Sequence, residues 1–198
     1  DPALLKGRTL RQIASDKYGN LWIGTQSLGI YKWTAAKGGK NFDDGLKPFP
    51  AIPPGQIPKK KKKKNGYVWV TTSNTGIYAI DPATDKVVYH MGTEEPPERK
   101  IGRNQVTSVI QYDDSTIVFI TNSLYFFNTK KEKIVKMISL PESTTGNIAA
   151  IESDLNGYIW MSMTDGIYRV KPRNEIFIHV HRLDGIAHDH FIAGGSFR

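Results

Sequence analysis

The chain has 198 residues, 39% of them hydrophobic, no cysteine, and a formal charge of +8 from 27 Lys+Arg against 19 Asp+Glu. That length and apolar content suffice to bury a sizeable core. The absence of thiols excludes disulfides and thiolate metal sites while leaving the compartment open, and no apolar stretch is long enough for a membrane-spanning helix.

Taken in chain order, residues 10–25 form two apolar runs split by Asp16-Lys17-Tyr18-Gly19. An Asp that hydrogen-bonds its own downstream backbone, with a Gly three residues later that accepts positive φ, predicts a tight hairpin. Turn formation, rather than a catalytic or metal role, is therefore the expected work of these aspartates. A third strand follows at residues 29–33. The stretch from Phe42 to Pro58 holds five prolines, suits a central strand poorly, and is expected to be a long surface loop.

The same message returns three times. Residues 66–72, 76–80 and 86–90 predict a second set of strands, residues 106–121, 124–127 and 133–137 a third, and residues 148–163, 166–170 and 175–180 a fourth. Gly19, Gly66, Ser115 and Gly157 align, giving spacings of 47, 49 and 42 residues. That is the length of four short strands with their turns, which is one β-propeller blade. Helical apolar periodicity is missing, and Gly, Asn, Asp and Pro separate short β-rich runs. The predicted fold class is all-β: a β-propeller with four blades of four-stranded antiparallel sheet, at approximately 8–50, 57–100, 104–141 and 146–182. Residues 183–198 read as the start of a further blade, and the chain as an internal piece of a larger propeller protein.

Within each second strand, residues i and i+2 share a face. Trp22 thus sits beside Gly24, Trp69 beside Thr71 and Trp160 beside Ser162, with Val118 and Ile120 in the third copy. The opposite face is apolar as well, so each strand is expected to be covered on both sides. Trp22, Trp69 and Trp160 are accordingly expected to be buried at equivalent places between blades.

The pattern Ile-x-x-Asp-x-x-Gly-Asn-Leu-Trp-Ile-Gly-Thr-x-x-x-Gly-Ile-Tyr, from Ile13 to Tyr31 and echoed from Ile151 to Tyr168, resembles the two-component-regulator propeller repeat. That repeat builds periplasmic sensor halves of hybrid two-component histidine kinases in gut Bacteroidetes. The third copy departs from it by lacking both Gly and Trp, and the second by lacking its first strand. The resemblance implies a non-catalytic, extracytoplasmic sensor domain without a cofactor, detecting an oligosaccharide and signalling to a kinase. The implied partners are that oligosaccharide, the remaining blades and downstream domains of the same chain, and a second copy in a homodimer. Membrane attachment would come only through segments outside this chain. Streptogramin-lyase-like propellers share Gly-x-x-Trp strands, so an enzyme is one alternative and a protein-interaction propeller another.

One segment conflicts with the repeat. Counting back from Gly66 aligns Ile13, Ser15 and Asp16 with Lys60, Lys62 and Lys63, inside a run of six lysines at residues 59–64. Ammonium groups in an apolar gap each cost several kcal/mol. The run is a solvated loop, a polyanion-binding patch, or a sequence that departs from the native residues there. Removing its six lysines leaves 21 basic against 19 acidic residues, a net of +2. Nucleic-acid binding is therefore not inferred, because basic residues are not spread over a face with stacking aromatics.

Catalytic constellations are scarce. His179 and His181, like His188 and His190, share a strand face at a spacing that can hold a metal, but no third ligand is placed and no metal is expected. Phosphate loops and nucleophile elbows are absent. In propellers, loops from the outer strand of one blade to the inner strand of the next converge on one face. Here these loops carry Arg103, Asn104 and Gln105, then Thr145 and Asn147, then His188 and His190. Their donors suit sugar hydroxyls or uronate carboxylates, and they are the expected ligand-binding residues.

Overall fold

A computed structural model describes residues 5–7, 9–26, 29–34, 42–52, 66–142, 144, 147–186 and 191. The lysine run, Thr145, His188 and His190 fall outside them, as does most of the expected opening of a further blade. The chain divides into two compact units, residues 1–106 and 107–198.

The first unit holds two antiparallel sheets. One is β1 (Leu10–Ser15), β2 (Leu21–Thr25), β3 (Ile30–Trp33) and β4 (Leu46–Phe49), in that spatial order, with a four-residue helix α1 (Phe42–Gly45) before β4. The other has three strands among the described residues, β5 (Val68–Thr71), β6 (Ile77–Asp81) and β7 (Lys86–Met91). The second unit holds two four-stranded sheets. These are β8 (Ser108–Gln111), β9 (Thr116–Ile120), β10 (Ser123–Asn128) and β11 (Lys133–Ser139), followed by β12 (Ile148–Ser153), β13 (Ile159–Met163), β14 (Gly166–Val170) and β15 (Phe177–Val180). Each sheet is an up-and-down meander, since every neighbour in space is a neighbour in sequence.

β4 corrects the expectation of a loop between Phe42 and Pro58. Pro48 lies opposite Tyr31 in the β3–β4 ladder. It is tolerated because β4 is the edge of its sheet, where a missing N–H can face outward.

Within each unit the sheets share a core. Trp22, Ile30, Phe49 and Ile52 pack with Val68, Val70, Tyr78 and Ile80 in the first. In the second, Ile110, Val118, Ile120, Leu124, Phe126 and Ile138 pack with Ile151, Ile159, Met161, Met163, Tyr168 and Val170. Two polar contacts add to this second interface: the Tyr112 hydroxyl donates to the Gly157 carbonyl at 2.8 Å, and the Ile151 N–H to Ser108 Oγ at 3.3 Å.

Trp22 and Trp69 are 1% and 0% exposed, as expected. Trp160 differs. β13 alternates buried Ile159, Met161 and Met163 with half-buried Trp160 and Ser162, so only one face of this last sheet is fully covered. A guanidinium does part of the covering, because Arg169 lies over the Trp160 ring at 5.4 Å and over Tyr158 at 5.0 Å.

Candidate functional site

The hairpin aspartates have a second function that their turn role conceals. Asp16 Oδ1 accepts the N–H groups of Tyr18 (2.9 Å) and Asn20 (3.0 Å), and its Oδ2 accepts Asn20 Nδ2 and Trp22 Nε1, both at 2.9 Å. Asp154 repeats this with the N–H groups of Asn156 and Tyr158 and with Trp160 Nε1 at 2.8 Å. Burial pushes the Asp16 carboxyl up, but the bonds from Trp22, Asn20 and Tyr18 outweigh it and hold the group below its ordinary value. At Asp154 the Trp160 bond is the largest influence, and the carboxyl is again lowered. Asp113, in the copy without Trp, is also lowered: bonds from Ser115 and Thr116 exceed the opposing effect of burial. These carboxylates are consumed by structure.

At the opposite strand ends lie the connections singled out in the sequence. The loop after β7 is pinned at several points. Gly92 bridges Lys100, the Ile101 N–H donates to the Gly92 carbonyl at 3.1 Å, and Ile101 is buried. Asn104 is its clasp: Oδ1 accepts the Thr93 N–H at 2.9 Å, Nδ2 donates to Thr93 Oγ1 at 3.1 Å, and its carbonyl accepts the Gly76 N–H at 2.9 Å. The Val106 N–H then donates to the Thr72 carbonyl at 2.9 Å. Arg103 and Gln105 flank this clasp and are exposed, with no hydrogen bond or ion pair among the described residues.

Gly76 cannot be replaced at this junction. Its φ is +90°, and a Cβ there would lie 2.0 Å from the Met91 carbonyl oxygen. Gly166 takes the same place in the fourth copy, with φ +132° and the Val180 carbonyl 2.7 Å from its Cβ position.

Beside each of these glycines a histidine of the outer strand stacks on the tyrosine of the third. Tyr78 and His90 have ring centroids 4.1 Å apart with planes 9° from parallel, and Tyr168 and His179 have 4.1 Å and 4°. His90 Nε2 meets the Thr75 carbonyl at 2.6 Å and His179 Nε2 meets the Asp165 carbonyl at 2.9 Å. A carbonyl only accepts, so both Nε2 atoms carry hydrogen. His90 Nδ1 also faces Glu95 Oε1 at 2.8 Å, which ties β7 to the loop that carries Arg103. Tyr168 donates to Asp165 Oδ2 at 3.1 Å. Burial first, then that bond and the Asp165 charge, push its hydroxyl up to about 12.

Asn147, in the second unit, is exposed. Its backbone N–H donates to Thr164 Oγ1 at 2.9 Å and its carbonyl accepts the Thr164 N–H at 3.1 Å. Arg103, Asn104 and Gln105 are thus brought together on one loop, with Asn104 turned to structural use, while Asn147 belongs to the other unit. The histidine pair at the end of β15 has its rings 5.4 Å apart. His181 Nδ1 accepts the Leu183 N–H at 3.2 Å and caps the 3-10 turn Arg182–Asp184. Among the described residues no three His, Cys, Asp or Glu side chains gather as a metal site.

The model of the two component regulator propeller matches residues 5–27, the hairpin with the Asp16–Trp22 bond. Structures of similar fold include the extracellular domain described as that of hybrid two component system BT3049 from B. thetaiotaomicron, at 21% identity and a TM-score of 0.65, covering 92% of this chain and 24% of that one. A second such domain, BT4673 from B. thetaiotaomicron, matches at 17% identity and 0.63, covering 90% and 22%. A catalytically inactive virginiamycin B lyase from Staphylococcus aureus with quinupristin matches at 15% identity and 0.61, covering 93% and 58%. The chain therefore spans about a quarter of the length of the two extracellular domains. None of the curated proteins matches it. Residues 5–27 are a two-component-regulator propeller repeat, and the chain that carries it is an all-β protein of the β-propeller fold.

Proposed function

We propose that this chain is a ligand-sensing, extracytoplasmic part of a hybrid two-component sensor, exposed in the periplasm, which detects an oligosaccharide and relays its occupancy to a histidine kinase. The observation that carries the reading is the repeat itself. The Asp-x-x-Gly-x-x-Trp hairpin recurs in phase at Asp16 and Asp154 with the same indole-to-carboxylate bond, and its first copy matches the two component regulator propeller. The likeness in fold to extracellular domains of such systems supports it further. No helix among the described residues is long and apolar enough to cross a membrane, which agrees with attachment through other segments.

Arg103 and Gln105 lie on a loop whose backbone is held through Asn104, and a loop that needs little ordering on binding loses little entropy. Occupancy would shift an equilibrium between arrangements of blades, downstream domains or paired copies, and so reach the kinase. Calorimetric titration of oligosaccharides into the full-length sensor tests this. Arg103→Ala with Gln105→Ala should weaken binding about tenfold with nearly unchanged melting temperature; unchanged affinity would remove this loop from the site. The second reading is a propeller lyase, favoured by the fold likeness to virginiamycin B lyase. Saturable binding without product separates the sensor from the lyase.

A further inference from the structure

Away from those loops, the first unit contains a cavity of about 300 Å³ between the edge strand β4 and the β6–β7 hairpin. Lys32, Thr34, Lys47, Pro48, Pro50 and Asp85 line it. Lys32 and Lys47 are directly opposite each other in the β3–β4 ladder, and like charges in that relation destabilise a sheet. Lys32 is neutralised: its Nζ pairs with Asp85 Oδ1 and donates to the Pro82 carbonyl at 3.1 Å, and its side chain is only 11% exposed. Lys47 is exposed and has no ion pair or hydrogen bond among the described residues. The cavity is thus lined by two lysines against one carboxylate. Lys47 is the charge without a counter-ion among the described residues.

We propose that this cavity is a binding site for a small organic anion of monosaccharide size, a sugar acid, whose carboxylate pairs with Lys47. Thr34 and Pro50 also line the cavity, and a hydroxyl and an apolar ring suit the O–H and C–H edges of a sugar. Binding there gives Lys47 a counter-charge and needs no rearrangement of the Lys32–Asp85 pair. The proposal concerns a different place in the fold from the Arg103 loop and stands apart from the oligosaccharide reading.

The test is titration of the 198-residue chain with glucuronate, glucose and acetate at low ionic strength, followed by NMR shifts of the amides at residues 45–51. Glucuronate should give saturable shifts that weaken with added salt, while glucose gives none. Lys47→Gln should weaken glucuronate binding about tenfold without lowering the melting temperature. Asp85→Asn should tighten it by freeing Lys32, and Asn suits the φ of +56° at that position. Equal shifts from glucose and glucuronate, acetate binding as tightly as glucuronate, an unaffected Lys47→Gln variant, or weaker binding in Asp85→Asn would each overturn the proposal.

Discussion

The carboxylate of Asp154 accepts the indole N–H of Trp160, six residues ahead across the hairpin, at 2.8 Å, and Asp16 holds Trp22 in the same way at 2.9 Å. The hairpin turn and the packing of the blade are thereby one device. The turn cannot relax without freeing the ring, and the ring cannot shift without leaving a polar N–H unbonded.

Asp16→Asn should destabilise the protein by about 1–3 kcal/mol, since two of the four donors lose their acceptor when one carboxylate oxygen becomes an amide nitrogen in a buried setting. Trp22→Phe keeps most of the bulk and removes the donor. In urea denaturation the double variant should cost less than the sum of the two single changes, and strict additivity would show that the bond contributes nothing.

Acid should weaken the fold through the same groups. Asp16, Asp113 and Asp154 are all held below their ordinary values when folded. The stability they supply is therefore fully present above about pH 4 and is lost as pH falls through their folded values. Melting temperature should be flat near neutrality and drop below about pH 4. Asp16→Asn combined with Asp154→Asn should start lower and fall less steeply; parallel curves for parent and variant would remove these carboxyls as the cause.

The tryptophans should separate. Trp22→Ala is expected to cost about 3–5 kcal/mol, as a large-to-small change at a fully buried site. Trp160→Ala, half-buried under Arg169, should cost clearly less. Equal losses in denaturant titrations would mean that solution covers the Trp160 face more fully than the structure does.

The second copy offers a gain. Residues 65–69 read Asn-Gly-Tyr-Val-Trp, against Asn-Gly-Tyr-Ile-Trp at residues 156–160. The position that should hold the carboxylate is Lys63, outside the described residues. Lys63→Asp restores the motif and should raise stability by about 1–2 kcal/mol. A drop in melting temperature would mean that the second hairpin does not use this device.

His90→Phe should keep the stack on Tyr78 while abolishing both ring hydrogen bonds. Hydrogen exchange at the amides of Gly76 and Thr93, which donate to Asn104, should accelerate. Unchanged protection there would show that Asn104 alone holds the loop.

Much of the fold was legible because turn glycines and alternating apolar residues are local signals. The blade register followed from Gly19, Gly66, Ser115 and Gly157, and the burial of Trp22 and Trp69 from small neighbours on the same strand face. Trp160 shows the limit: an identical motif is half-exposed because burial depends on what lies against a sheet, which the motif does not encode. Pro48 shows another, since whether a proline breaks a strand depends on that strand being an edge. The turn role of Asp16 and Asp154 is legible in the sequence, and their six-residue spacing to Trp is the available sign of the second role. The His90 and His179 stacks were legible in principle, each histidine falling eleven or twelve residues after the tyrosine of Gly-Ile-Tyr. What the loop residues bind was not, because a polar loop looks the same in sequence whether its side chains, like that of Asn104, face inward or, like that of Arg103, face water.

The uneven cover of the last sheet also makes the second unit thermodynamically lopsided. β9 is buried at all five positions, whereas β13 is fully buried at only alternate ones. A sheet covered more fully on one face than on the other opens at lower cost than one covered on both. Amides in β13 and β14 should therefore exchange through smaller openings than those in β9 and β10.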